Sequence, residues 1–61
     1  MNYQKGQIVF YRDPANDIYK SEILYYYSEV KKYLVKFYIP LNEDWMQIIV
    51  EADEGSIQLS F

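Results

Sequence analysis

Hydrophobic and polar positions alternate along most of this chain with a period of two, the spacing of a half-buried strand. The segment Gln7 to Arg12 (QIVFYR) follows Gly6 and is the first predicted strand. Asp13-Pro14-Ala15-Asn16-Asp17 is a dense turn cluster, since Pro14 presets φ and Asp and Asn tolerate tight turns. Ile18 to Tyr27 is the second strand, with Tyr19, Ser21, Ile23, Tyr25 and Tyr27 expected on one face and Lys20, Glu22, Leu24 and Tyr26 on the other. Ser28 to Lys31 reads as a short hairpin connection. Lys32 to Ile39 is the third strand, with Tyr33, Val35, Phe37 and Ile39 on one face. Pro40 lacks a ladder N–H and ends it in this reading, leaving Leu41 to Asp44 as a loop. Trp45 to Val50 is the fourth strand. Glu51 to Glu54 suits one helical or 3-10 turn ended by Gly55. Ser56 to Phe61 alternates cleanly, which predicts a fifth strand burying Ile57, Leu59 and Phe61.

Five short strands without a long helix predict an all-β domain. A flat sheet of this size would leave a face and both edges uncovered, so a bent, five-stranded SH3-like barrel with a short C-terminal helical turn is expected. A five-stranded OB-type barrel is the alternative, although such domains usually use more residues. At 61 residues the chain makes one domain with a marginal core, either alone or as the first domain of a longer protein.

Composition narrows the chemistry. The sequence has no Cys and no His. That excludes a disulfide framework, a Cys- or His-based metal site and any Ser-His-Asp or Cys-His catalytic arrangement within these residues. An intracellular, non-enzymatic binding module without a cofactor is the expectation, and no apolar run reaches membrane-spanning length. The net charge is −3, distributed unevenly: residues 1–39 hold all six bases and four acids, and residues 40–61 hold five acids and no base. An acidic C-terminal third attracts a basic partner and disfavours phosphate backbones, which sets nucleic-acid binding through Lys20, Lys31, Lys32 and Lys36 behind peptide binding. The pairs Glu43/Asp44 and Asp53/Glu54 read as surface charge, with Glu43 and Asp44 placed to attract a lysine or arginine near Trp45.

Twelve residues are aromatic. Tyr33, Val35, Ile57, Leu59 and Phe61 are most simply core. Trp45 is either a buried wedge or a rim-positioned binding anchor. Tyr11 and Tyr19 flank the Asp13–Asp17 loop and would meet at one end of the barrel.

The run Lys5-Gly6-Gln7-Ile8-Val9-Phe10-Tyr11, then Tyr19-Lys20-Ser21-Glu22-Ile23, then Tyr33-Leu34-Val35-Lys36-Phe37, then Trp45 to Val50 and a closing segment Glu51–Phe61 together resemble the chromo-barrel, or Tudor-knot, branch of the Tudor-like SH3 barrels. The resemblance covers almost the whole chain. It implies a nuclear subunit of a chromatin-modifying complex that binds a histone tail or other basic peptide and holds a methylated lysine in an aromatic cage. Carried over residue by residue, the cage rings would be Tyr11, Tyr19, Phe37 and Trp45, with Glu43 and Asp44 supplying attraction. Each ring face offers a methylammonium about 0.5–2 kcal/mol. The sequence departs from that family where it usually has a Gly-Trp pair after the third strand, since Tyr38-Ile39-Pro40-Leu41 stands there. It also has Ile48 and Ile49 where a second Trp-like residue belongs. A cage-less docking barrel, working through an edge strand or a Tyr-rich face, is therefore the second reading.

Overall fold

The computed structural model describes residues 3–60. Five antiparallel strands form one sheet: β1 (Ile8–Arg12), β2 (Ile18–Tyr27), β3 (Lys32–Leu41), β4 (Asp44–Asp53) and β5 (Ile57–Gln58), with a 3-10 turn at Glu54–Ser56 before β5. The spatial order is β4-β3-β2-β1-β5. β2 bends the sheet into a barrel-like form. Its first half pairs with β1, from Arg12↔Ile18 to Ile8↔Glu22, and its second half pairs with β3, from Glu22↔Lys36 to Tyr27↔Lys32. Glu22 is the hinge between the two pairings, and its carboxylate meets Lys36 Nζ at 3.5 Å. The all-β class with five antiparallel strands is as the alternation predicts.

Inward-facing residues of every strand meet in one core: Val9, Tyr11, Ile23, Tyr33, Val35, Phe37, Ala52 and Ile57. β3 supplies three of them at strict two-residue spacing. Tyr33 is fully enclosed, its ring edge-on to Tyr3 at 5.4 Å and tilted against Tyr26 at 4.6 Å. Its hydroxyl accepts the Tyr3 N–H at 3.1 Å, so the polar tip is not orphaned. Ser21 is the buried polar side chain, and its hydroxyl donates to the Tyr19 carbonyl at 2.9 Å.

Turns follow their residues. Asp13 Oδ1 accepts the Asp17 N–H at 2.8 Å, and Asn16 takes the left-handed φ of 73° that an Asx-rich loop tolerates. Asn42 does the same at φ 58° in the two-residue turn between β3 and β4.

Four sequence expectations are corrected. First, the register of β2 against β3 slips between Ile23 and Tyr25, leaving Leu24 as an extra residue. This bulge reverses the faces of the Tyr run. Tyr26 now stands opposite Tyr33 on the core side, while Tyr25 and Tyr27 move to the outer side with their rings 4.9 Å apart. Second, Pro40 does not end β3. It pairs with Trp45, one step beyond the Leu41–Asp44 pair that closes the turn. Hydrogen-bonded and non-hydrogen-bonded pairs alternate, so Pro40 sits where a residue turns its nitrogen away from β4 and needs no ladder N–H. β3 and β4 are consequently ten residues each and fully paired. Third, the 3-10 turn falls at Glu54–Ser56, not before Gly55, because Glu51 to Asp53 continue β4. Fourth, β5 keeps only Ile57 and Gln58, Leu59 is exposed, and Phe61 lies outside the described residues.

β2 pairs with β3 only as far as Lys36, so the distal halves of β3 and β4 project as a two-stranded ribbon. The molecule is accordingly elongated, 38 × 20 × 18 Å. Among the described residues no helix is long and apolar enough to cross a membrane.

Tyr33→Ala should cost roughly 3–5 kcal/mol, a large part of the stability of a domain this small. Trp45→Ala, at a residue 66% exposed, should change stability by no more than about 0.5 kcal/mol. Urea denaturation at low protein concentration measures both, and an equal loss in the two variants would contradict this core.

Candidate functional site

Strand pairing brings three of the four predicted cage rings together. Tyr11 and Tyr19 are direct cross-strand partners on β1 and β2. Phe37 of β3, the strand on the other side of β2, joins the same cluster. Tyr19 stacks on Phe37 with centroids 4.4 Å apart and planes 16° from parallel, and Tyr11 stacks on Phe37 at 5.6 Å and 27°. Tyr11 and Phe37 are buried and Tyr19 is half-buried. These rings fill one another's faces and do not stand as walls around an open space.

Trp45 is not among them. Phe37 pairs with Ile48, so inward positions on β4 are Asp44, Met46, Ile48, Val50 and Ala52, and Trp45 belongs to the opposite face with its partner Pro40. It also lies three residues beyond Ile48, roughly 10 Å along the ribbon. Glu43 and Asp44 sit with it at the hairpin tip, and Asp44 Oδ1 accepts the Trp45 N–H at 2.8 Å. The six predicted site residues thus divide into a ring cluster in the barrel and an acid–indole group at the ribbon tip.

A feature the linear sequence hides lies beside Tyr11. The end of β1 and its loop face the end of β4 and the 3-10 turn across a groove of about 270 Å³. Tyr11, Asp13 and Pro14 form one wall, and Glu51, Asp53 and Ser56 the other. Three carboxylates line it against one guanidinium, Arg12. Lys32 Nζ lies 3.3 Å from Asp53 Oδ1 in an exposed pair. The acidic bias of residues 40–61 was the available signal. Its convergence with Asp13 depends on the path of the chain through the 3-10 turn, which alternation does not encode.

Electrostatics concentrate on the same loop. Burial raises the Tyr11 hydroxyl above the ordinary tyrosine value of 10.0, and the Asp13 charge raises it further. Tyr19 is raised too, first by desolvation, then by the charges of Asp13 and Asp17, by the hydrogen bond it donates to Asp13, and by Tyr11. Asp13, the charge that acts on both tyrosines, also lines the groove beside Tyr11. Among the described residues no group of three or more His, Cys, Asp or Glu is placed to hold a metal ion.

No family model, curated protein or solved structure matches this chain.

Both tyrosines hold their protons more tightly folded than unfolded. Their contribution is present in full below about pH 10 and is lost as pH rises through the raised folded values. NMR titration of the ring carbons should place Tyr11 and Tyr19 above free tyrosine, with Asp13→Asn moving Tyr19 back down. An unchanged Tyr19 titration in that variant would contradict the arrangement.

Proposed function

We propose that this chain is a non-catalytic SH3-like docking module that takes a lysine or arginine side chain of a basic peptide into the groove between the β1–β2 loop and the 3-10 turn. The observation that carries the reading is the composition of that groove: one tyrosine ring and three carboxylates, against the single guanidinium of Arg12, around a space of about 270 Å³. A cationic side chain entering it lays its methylene stem on Tyr11 and Pro14 and its charge among Asp13, Glu51 and Asp53. The strand order, with a 3-10 turn before a last strand that returns to β1, supports the SH3-like assignment. The uneven charge of the sequence supports a basic partner.

The family resemblance makes a histone-type tail the first peptide of this class to consider, in the nucleus and within a chromatin-modifying complex. Methylation is not required in this reading. Tyr11, Tyr19 and Phe37 are stacked on each other and Trp45 faces the other way, so charge and the alkyl stem do the recognising.

Calorimetric titration with a lysine-rich histone-tail peptide, unmodified and trimethylated, tests this. Both forms should bind within about twofold of each other, and added salt should weaken both. Glu51→Gln with Asp53→Asn should weaken binding about tenfold, or about 1.4 kcal/mol. A strong preference for the trimethylated form, or equal binding of an acidic peptide, would overturn it.

A further inference from the structure

The sheet has two edges, β4 and β5, and they differ. β5 is two residues long, too short to template another strand. β4 is ten residues long and pairs with β3 from Asp44 to Asp53 without a register slip. Among the described residues it has no ladder neighbour on its other side. It also lacks the features that blunt an edge, since it contains no proline, no lysine and no bulge.

The β3–β4 turn fixes which backbone groups lie open. Leu41–Asp44 closes a two-residue hairpin and is a hydrogen-bonded pair, so alternation makes Met46, Ile48, Val50 and Ala52 the further residues bonded to β3. Trp45, Gln47, Ile49 and Glu51 turn their N–H and C=O groups to the free edge. Two details agree. Pro40, the partner of Trp45, needs no N–H at that pair. The Trp45 N–H is accepted by its neighbour Asp44 Oδ1 at 2.8 Å and not by β3. Asp44 therefore closes the tip of the edge, which leaves Gln47, Ile49 and Glu51 as an open stretch of roughly 14 Å. Among the described residues no backbone bond outside the ladders reaches these three amides, and all three residues are exposed. The stretch runs into the acidic groove. Glu51 and Asp53 belong to one wall, and β1, whose end forms the other, is not a ladder neighbour of β4.

We infer that the free edge of β4 takes the main chain of a basic peptide as an added antiparallel strand, bonded to Gln47, Ile49 and Glu51, with a lysine at the groove. This rests on the groove reading above and extends it from one side chain to the backbone that carries it. In an antiparallel ladder the residue paired with Glu51 projects on the same face as the Glu51 carboxylate. A lysine there meets an acid across the strands and stands beside the groove. Charge selects the occupant. β4 carries Asp44, Glu51 and Asp53 and no base, so a second copy would bring the same three acids to the edge, whereas a lysine-bearing segment neutralises them. In such an addition the main-chain bonds supply affinity and alternate side chains supply selectivity.

The test uses the unmodified lysine-rich histone-tail peptide and reads amide hydrogen exchange by NMR. In the free chain the amides of Gln47, Ile49 and Glu51 should exchange fast beside protected Ile48 and Val50. Saturating peptide should slow those three at least about tenfold. Peptides N-methylated at one amide each should show a period of two: alternate methyl groups weaken binding about tenfold, and the intervening ones leave it within about twofold. Ile49→Pro removes an open donor without touching a bond to β3, so it should keep the far-ultraviolet circular dichroism and bind about tenfold more weakly. The N-methylated peptides decide on the unaltered chain if that variant does not fold. Binding that depends on Glu51 and Asp53 but leaves the three amides fast, or that shows no alternation on N-methylation, would overturn the edge proposal and leave the groove reading standing. Absence of peptide binding would overturn both. Slowing of the same amides with rising chain concentration, without peptide, would give the edge to a second copy and overturn the proposal too.

Discussion

The fold turns on the pleat of β3. Tyr33, Val35 and Phe37 point into the core without interruption, and β3 is bonded to both β2 and β4. Burying three consecutive inward side chains fixes the register, because a slip of one residue would expose all three and turn Leu34, Lys36 and Tyr38 inward in their place. β2 accommodates this choice by bulging at Leu24, which carries Tyr26 onto Tyr33. β4 accommodates it through a two-residue turn, which transmits the same parity from Phe37 to Ile48 and sends Trp45 to the opposite side.

That parity separates two chemical environments. On the inner side Tyr11, Tyr19 and Phe37 stack together, and Tyr11 and Asp13 line an acidic groove beside them. On the outer side an exposed ribbon carries Tyr38 and Trp45, with Lys36 and its ion-pair partner Glu22 at the root. The groove is concave and charged, suited to one side chain of a partner. The ribbon is broad, with exposed rings at Tyr38 and Trp45.

Much of the architecture is legible in the sequence, and the failures have distinct causes. The alternation of Tyr33-Leu34-Val35-Lys36-Phe37 identifies the central strand, and Asp13-Pro14 and Ser28–Lys31 mark their turns because local chemistry decides them. The bulge is not legible, since Leu24-Tyr25-Tyr26-Tyr27 offers apolar side chains to either face. Pro40 misleads because the side of a strand on which a missing N–H matters depends on which pairs are hydrogen-bonded. Ser56 to Phe61 alternates well, but β1 is five residues long and pairs only Ile57 and Gln58 of that segment. The grouping of Trp45 with Tyr11, Tyr19 and Phe37 fails for a related reason. It assumes a longer loop, and the two-residue turn at Asn42 and Glu43 sets the face on which the indole emerges.

The central claim is that the pleat divides the aromatic residues. Nuclear Overhauser contacts among the side chains test it most directly. The ring protons of Tyr11 and Tyr19 should both show strong contacts to Phe37, and the Trp45 indole should show contacts to Pro40 and none to those three rings. Contacts from the Trp45 indole to Phe37 or Tyr19 would contradict the account.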